Sequence, residues 1–398
     1  MRIAVLPLAV LSLAAGPLAG QTERGAFVVT LGKDTIVVEQ YTRTRTTLEG
    51  DMLVRAAAVI QRHYTGSLNA DGSMARFEIT NRNLSTPQTP AVHFVITFGD
   101  TTVVDVTRDT MHNQIRVATP NGALPFLNFS YAMYEQYGRR ATATGRDTVA
   151  TLPLGANSLT MLVVHHPARD SLNVAFAGDA PTLFRVGPSG LIQAVDGRFT
   201  TQKVVSTRLA QLDFAALAAA FATRPLGALS PPDSVLATIG GAAITITYGR
   251  PSSRGRTVFG AEGETPRPIV PWNQVWRTGA NFATRFTSSA DLVVAGQTIP
   301  AGTYTLWTLP SPTGWKLIFN KQTKAPCATA AECADPKRAN LWGTDYSADS
   351  DFVRVDLQTA PLAAPLEQFV ITLEPQGDGG VLAFAWEKTR AFVNLAKK

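Results

Sequence analysis

Short runs of β-branched and aromatic residues, each closed by a turn signal, recur along nearly the whole chain. Connections this short permit only antiparallel neighbours. From Gly25 to about Thr80 the runs are "GAFVVTL", "DTIVVEQY", "GDMLVRA" and "ARFEIT", and Asp71-Gly72 in "LNADGSM" marks a hairpin between two of them. "VHFVITFG", "TTVVDVT", "LTMLVVHH", "SLNVAFA" and "QKVVSTRL" continue the pattern. The expected architecture is mainly β: a large antiparallel meander sheet, of which a curved half-barrel is one form. Two helices interrupt it. "PFLNFSYAMYEQYGRRA" sets Phe129, Met133 and Tyr137 at helical spacing, and "DFAALAAAFATR" opens on Asp213 as an N-cap.

"RPLGALSPPDS", with three prolines and a glycine, reads as a linker. The composition changes across it: all six tryptophans follow residue 271 and all five histidines precede residue 167. Beyond it, "AAITITYG", "FATRFTSS", "DLVVAG", "GTYTLWTL", "GWKLIFN", "DFVRVDL", "QFVITLE" and "VLAFAWE" predict an antiparallel β-sandwich. Alternation in "TYTLWTL" puts Tyr304 and Leu306 on one face and Trp307 and Leu309 on the other, so both faces are apolar, as in an inner strand. The expected division is residues 21–224 for the first β domain, 225–233 for the linker and 234–398 for the sandwich. Residues 1–20, with Arg2 ahead of an apolar run that ends in small residues, read as a secretory signal peptide. That address predicts an exported, periplasmic or secreted protein. Nothing after the signal reaches the apolar length of a membrane helix.

Thirty-six basic against thirty acidic residues leave a net charge of +6. No basic block gathers that excess, which gives no footprint for nucleic acid. Cys327 and Cys333 are the only cysteines, and an exported address makes a local disulfide the leading reading. No P-loop, dinucleotide fingerprint, zinc-protease helix or nucleophile elbow is present.

"YGRPSSRGRTVFG", "VWRTGANFAT", "IPAGTYTLWTLP", "WKLIFNK", "LWGTDYSADSDFVRV" and "LAFAWEKT" occur in one order. Over residues 231–395 this resembles the bacterial family of domain of unknown function 2911. The resemblance implies an exported β-domain without an assigned role and carries over no catalytic residue. A longer loop between Asn320 and Trp342, holding both cysteines, departs from the family pattern.

The candidate chemistry lies in this second half. "GRPSSRGR" offers Arg250, Arg254 and Arg256, whose guanidinium forks suit carboxylate, sulfate or phosphate; the plain alternative is a solvated loop. In "WRTGAN", Trp276 is expected in the core, with Arg277 stapled to a carboxylate such as Glu387 or Asp291, and Gly279 and Asn281 forming the turn. The other reading makes Arg277 part of a ligand cradle. Trp307, Trp315 and Trp386 read as core, whereas Trp272 and Trp342 are candidates for exposed stacking surfaces. Asp345, Ser347, Asp349 and Asp351 stand at alternate positions as calcium ligands would, without the glycine that such a loop needs; no other cofactor is indicated. The expected function is non-catalytic binding of a carbohydrate or small anion through Arg250, Arg256, Arg277, Asn281 and Trp342. Two alternatives stand beside it: a carrier of a hydrophobic ligand in the N-terminal sheet, and a hydrolase at the domain junction.

Overall fold

The computed structural model describes residues 22–119, 122–325, 327 and 339–398. The signal segment 1–20 and the Cys327–Cys333 pairing lie outside the described residues, the latter because Cys333 does.

Two meanders build the N-terminal sheet. The first runs from Glu23–Leu31 to Met111–Ala118 in eight strands, each antiparallel to its predecessor. The second starts at Thr148–Pro153 and comes back to Val205–Leu209, which pairs with Glu23–Leu31 and joins the two into one sheet, fifteen strands wide with the edge strand Leu124–Phe126. One connection departs from the antiparallel rule. The short strand Leu124–Phe126 lies at the far edge, parallel to Thr148–Pro153, and the crossover between them is helix α1, Tyr131–Thr144. The sheet stays open, with Met111–Ala118 and Leu124–Phe126 as its two edges.

Ser130 caps α1 by accepting from the Met133 amide, and Gly145, at φ 63°, closes it in the left-handed conformation. Phe129 therefore precedes the helix, at φ 64°, instead of opening it. Tyr131, Met133, Tyr134 and Tyr137 enter the core shared by both meanders, among Phe27, Phe77, Leu172 and Phe184. Helix α2, Phe214–Ala222, is capped by Asp213 as expected and covers the opposite face, where Val38, Leu53 and Val59 meet Phe214. The interior of the large sheet is thus filled by the protein's own tyrosines.

The C-terminal half is a nine-stranded antiparallel sheet with its own core. Its two longest strands, Asp351–Gln376 and Gly379–Lys397, bend at register breaks between Pro361 and Val370. The early part of the first pairs with Gly314–Asn320, and the later part pairs with the last strand and, at Gln368, bridges Ser252. Through this bend Pro232–Ile239, at one end of the strand order, lies against the long pair near the other end. Tyr304 and Leu306 enter the main core, while Trp307 packs on the reverse face with Ala283, Ile318 and Leu341, as the alternation requires. Trp315 and Trp386 are also core residues.

The two halves touch at the loop that joins the first two strands. Gly32, at φ 61°, comes so close that a Cβ there would sit 2.1 Å from the Arg254 carbonyl oxygen, so glycine is required on both counts. The Lys33 amide donates to that carbonyl (2.9 Å), and the Arg254 guanidinium pairs with Asp34 at 2.6 Å. Arg254 is 8% exposed, which replaces the solvated-loop expectation for this residue. Among the described residues no helix is long and apolar enough to cross a membrane.

Candidate functional site

A cavity of about 690 Å³ opens where the two halves meet. Its wall holds the "WRTGAN" turn, and the local folding explains why. Trp276 exchanges backbone hydrogen bonds with Thr308 (2.8 and 2.9 Å), and its ring stacks on Trp386 with centroids 5.8 Å apart. Thr278 and Asn281 take the left-handed conformation, at φ 53° and 64°. Gly279 does not; a Cβ there would lie 2.9 Å from the Gly249 carbonyl, so its role is close approach, not turn geometry. The turn presents Arg277 and Asn281 to the cavity.

Arg277 has no acceptor or carboxylate partner among the described residues, and its Nε is buried without a hydrogen bond. The stapling carboxylate expected from sequence is not there: Asp291 instead accepts from the Ala301 amide. Burial alone pushes the Arg277 guanidinium down to about 10. Gly343 leaves room for it, since a Cβ at that position would sit 2.0 Å from the Arg277 Cδ.

Three more cations line the same space. Arg256 is locked by donating to the Ser253 and Ser252 carbonyls (2.9 and 2.7 Å) and is pushed down to about 10 by burial, with Arg254 adding to the effect. Arg267 lies 4.3 Å above the Phe199 ring and pairs at 3.3 Å with Glu262, itself well exposed. Lys203, at φ 57°, donates to the Arg198 carbonyl (3.1 Å). Burial pushes its amine down to about 8, helped by repulsion from Arg267, Arg277 and Arg256. The lining carboxylate is Asp179, exposed, and raised by burial and by Asp345. Among the described residues no carboxylate lies within 4 Å of Lys203, Arg256 or Arg277.

Of the residues predicted from sequence, Arg256, Arg277, Asn281 and Trp342 share this cavity. Arg250 does not line it; it pairs with Asp233 at 3.3 Å and donates to the Phe369 carbonyl. Trp342, 37% exposed, packs edge-on against Phe282. Lys203 and Arg267 were not found by sequence reasoning. Each stands alone in an unremarkable loop, and only the meeting of the halves gathers them. Among the described residues no three His, Cys, Asp or Glu side chains come together as a metal site. Asp351 is engaged by Arg354 (2.6 Å), Tyr346 and Asn320.

A second charged cluster lies inside the N-terminal half. Glu39, fully buried, accepts from Tyr64 (2.8 Å), from Ser130 and from the Tyr131 amide (2.6 Å) at the start of α1. Burial pushes it up to about 7. Glu135 accepts from Tyr41 and from the Ile192 amide (2.8 Å), and pairs with Arg208 at 2.6 Å; burial raises it as well. Neither carboxylate lines the cavity.

Residues 230–395 match the family model described as Protein of unknown function (DUF2911). The DUF2911 region therefore supplies Arg256, Arg267 and Arg277, and Lys203 comes from outside it. No curated protein matches the chain. A similar solved structure is the crystal structure of a β-barrel-like protein of domain of unknown function DUF1849 from Brucella abortus. It is 12% identical, covers 48% of this chain and 95% of its own, and has a TM-score of 0.32, a likeness that carries no argument.

Proposed function

We propose that the protein is a non-catalytic binding protein for a small anionic ligand, an acidic sugar or a phosphate among them, held in the cavity between its halves. The observation that carries this reading is Arg277, a half-buried guanidinium whose Nε is fully enclosed, with no counter-ion among the described residues. A half-buried charge without a partner is destabilising, and an anion in the cavity relieves that. Arg256 and Lys203 add two cations free of carboxylates within 4 Å, and guanidinium forks match phosphate and carboxylate oxygens. Asn281 and the partly exposed Trp342 offer a hydrogen-bonding amide and a ring face to the same ligand. A hydrolase at this junction would use a pair of carboxylates, but Glu39 and Glu135 sit elsewhere in a closed hydrogen-bond network and Asp179 is the single carboxylate among the described lining residues. The hydrophobic-carrier reading keeps only the apolar part of this same cavity, because α1 fills much of the sheet's inner face. We read the apolar leader as placing this binding outside the cytoplasm.

The test is calorimetry in low-chloride buffer with inorganic phosphate, sulfate and glucuronate. At least one should bind with an affinity that falls steeply with salt, and Arg277→Ala should abolish binding while the variant stays folded. Equal binding by Arg277→Ala, or no binding by any of the three, overturns the reading.

A further inference from the structure

The cavity combines a cationic and an apolar lining. The DUF2911 region contributes Arg256, Arg267 and Arg277. The N-terminal half contributes Leu31, Ile36, Phe129, Leu162, Val174 and Phe176, six apolar side chains, beside the hydroxyl groups of Tyr134, Thr182, Thr200 and Thr201. Asn128 and Gln202, also on that side, already bond to one another at 2.9 Å. A volume of about 690 Å³ falls in the range that holds a drug-sized molecule and far exceeds what a bare phosphate fills. Those six side chains offer the hydroxyl groups of a free sugar nothing to bond. An apolar body instead gains from being removed from water there.

Resting on the anion-site reading, we propose that the physiological ligand is an amphipathic anion. A compact phosphate-type head lies against Arg256, Arg267, Arg277 and Lys203, and an alkyl or aryl body lies against the Leu31–Phe176 wall. A phosphate head suits the site better than a carboxylate, because several cations converge and each guanidinium can engage two oxygens. Asp179 faces the same space and works against the head, so the head belongs on the side of the three arginines.

The experiment is a chain-length series on the wild-type full chain: inorganic phosphate, then ethyl, butyl and octyl phosphate below micelle formation, with octanoate and octanol as controls. Affinity should climb along the series, by roughly tenfold or more from ethyl to octyl phosphate. Octanol should not bind measurably, and octanoate should bind more weakly than octyl phosphate. Arg277→Ala should weaken every phosphate in parallel. If phosphate and ethyl phosphate bind but the series is flat, the amphipathic ligand is refuted while the anion site stands. If octanoate equals octyl phosphate, the choice of head is refuted. If inorganic phosphate fails to bind and octyl phosphate binds equally to wild type and Arg277→Ala, both readings fall.

Discussion

The molecule holds two groups of charges away from bulk water, and they are built on opposite terms. In the N-terminal sheet, Glu39 and Glu135 accept from tyrosines, a serine, backbone amides and Arg208, so the charges are answered inside the fold. In the cavity between the halves, Lys203, Arg256 and Arg277 have no carboxylate within 4 Å among the described residues, and Arg277 has no acceptor at all. A closed network of this kind ties α1 to the strands around it. An open set of cations is stability withheld until something binds.

The strongest way to break that contrast is to delete one member of each group. Glu135→Ala leaves Arg208 buried beside Tyr41 without its carboxylate and should cost ~3–5 kcal/mol in urea unfolding. Arg277→Ala should be at least as stable as wild type, because no pair is broken and an unanswered charge is removed. A large loss for Arg277→Ala would put it in the structural class after all.

Arg254 sharpens the comparison from the same loop as Arg256. It is paired with Asp34 across the halves at 2.6 Å, so Arg254→Ala should cost about 1–3 kcal/mol by the same measurement. A neutral result would return it to a solvated loop.

Smaller effects follow from pH, with opposite signs for the two groups. Glu39 is raised from 4.5 to about 7, so its neutral form is favoured in the fold. The folded protein holds that proton more tightly, and this stability is fully present below about 4.5 and lost as pH rises towards 7. Glu39→Gln should flatten this part of a stability–pH curve. Lys203 is lowered from 10.5 to about 8, so the folded protein gives up its proton first, and stability of the unliganded protein should rise between those pH values. Phosphate affinity should do the reverse and weaken as pH passes 8, while Lys203→Arg binds phosphate without that step. A pH-independent affinity in wild type would remove Lys203 from the site.

Much of the fold was legible because strand and turn chemistry is local. Asp71-Gly72 turns the hairpin between two early strands, Asp213 caps α2, and the period of two in "TYTLWTL" sorts Leu306 and Trp307 onto opposite faces. The parallel placement of Leu124–Phe126 was not legible, since it depends on where α1 lands after crossing the core. In the candidate site, Arg256, Arg277, Asn281 and Trp342 were found from guanidinium, amide and ring chemistry near glycines. The carboxylate partner expected for Arg277 is not found among the described residues, because a carboxylate can be proposed for any arginine until distances exist.

The sequence by itself determined the β class, the change of chemistry near residue 230 and the match of residues 230–395 to DUF2911. Those properties rest on alternation, composition and short motifs, all carried by neighbours along the chain. Only the tertiary structure decided that Lys203 meets Arg256, Arg267 and Arg277, that Arg254 is taken by Asp34 and that Arg277 is left unpaired. Whether a charge is answered depends on a few ångströms between residues far apart in sequence, and no local pattern encodes that distance.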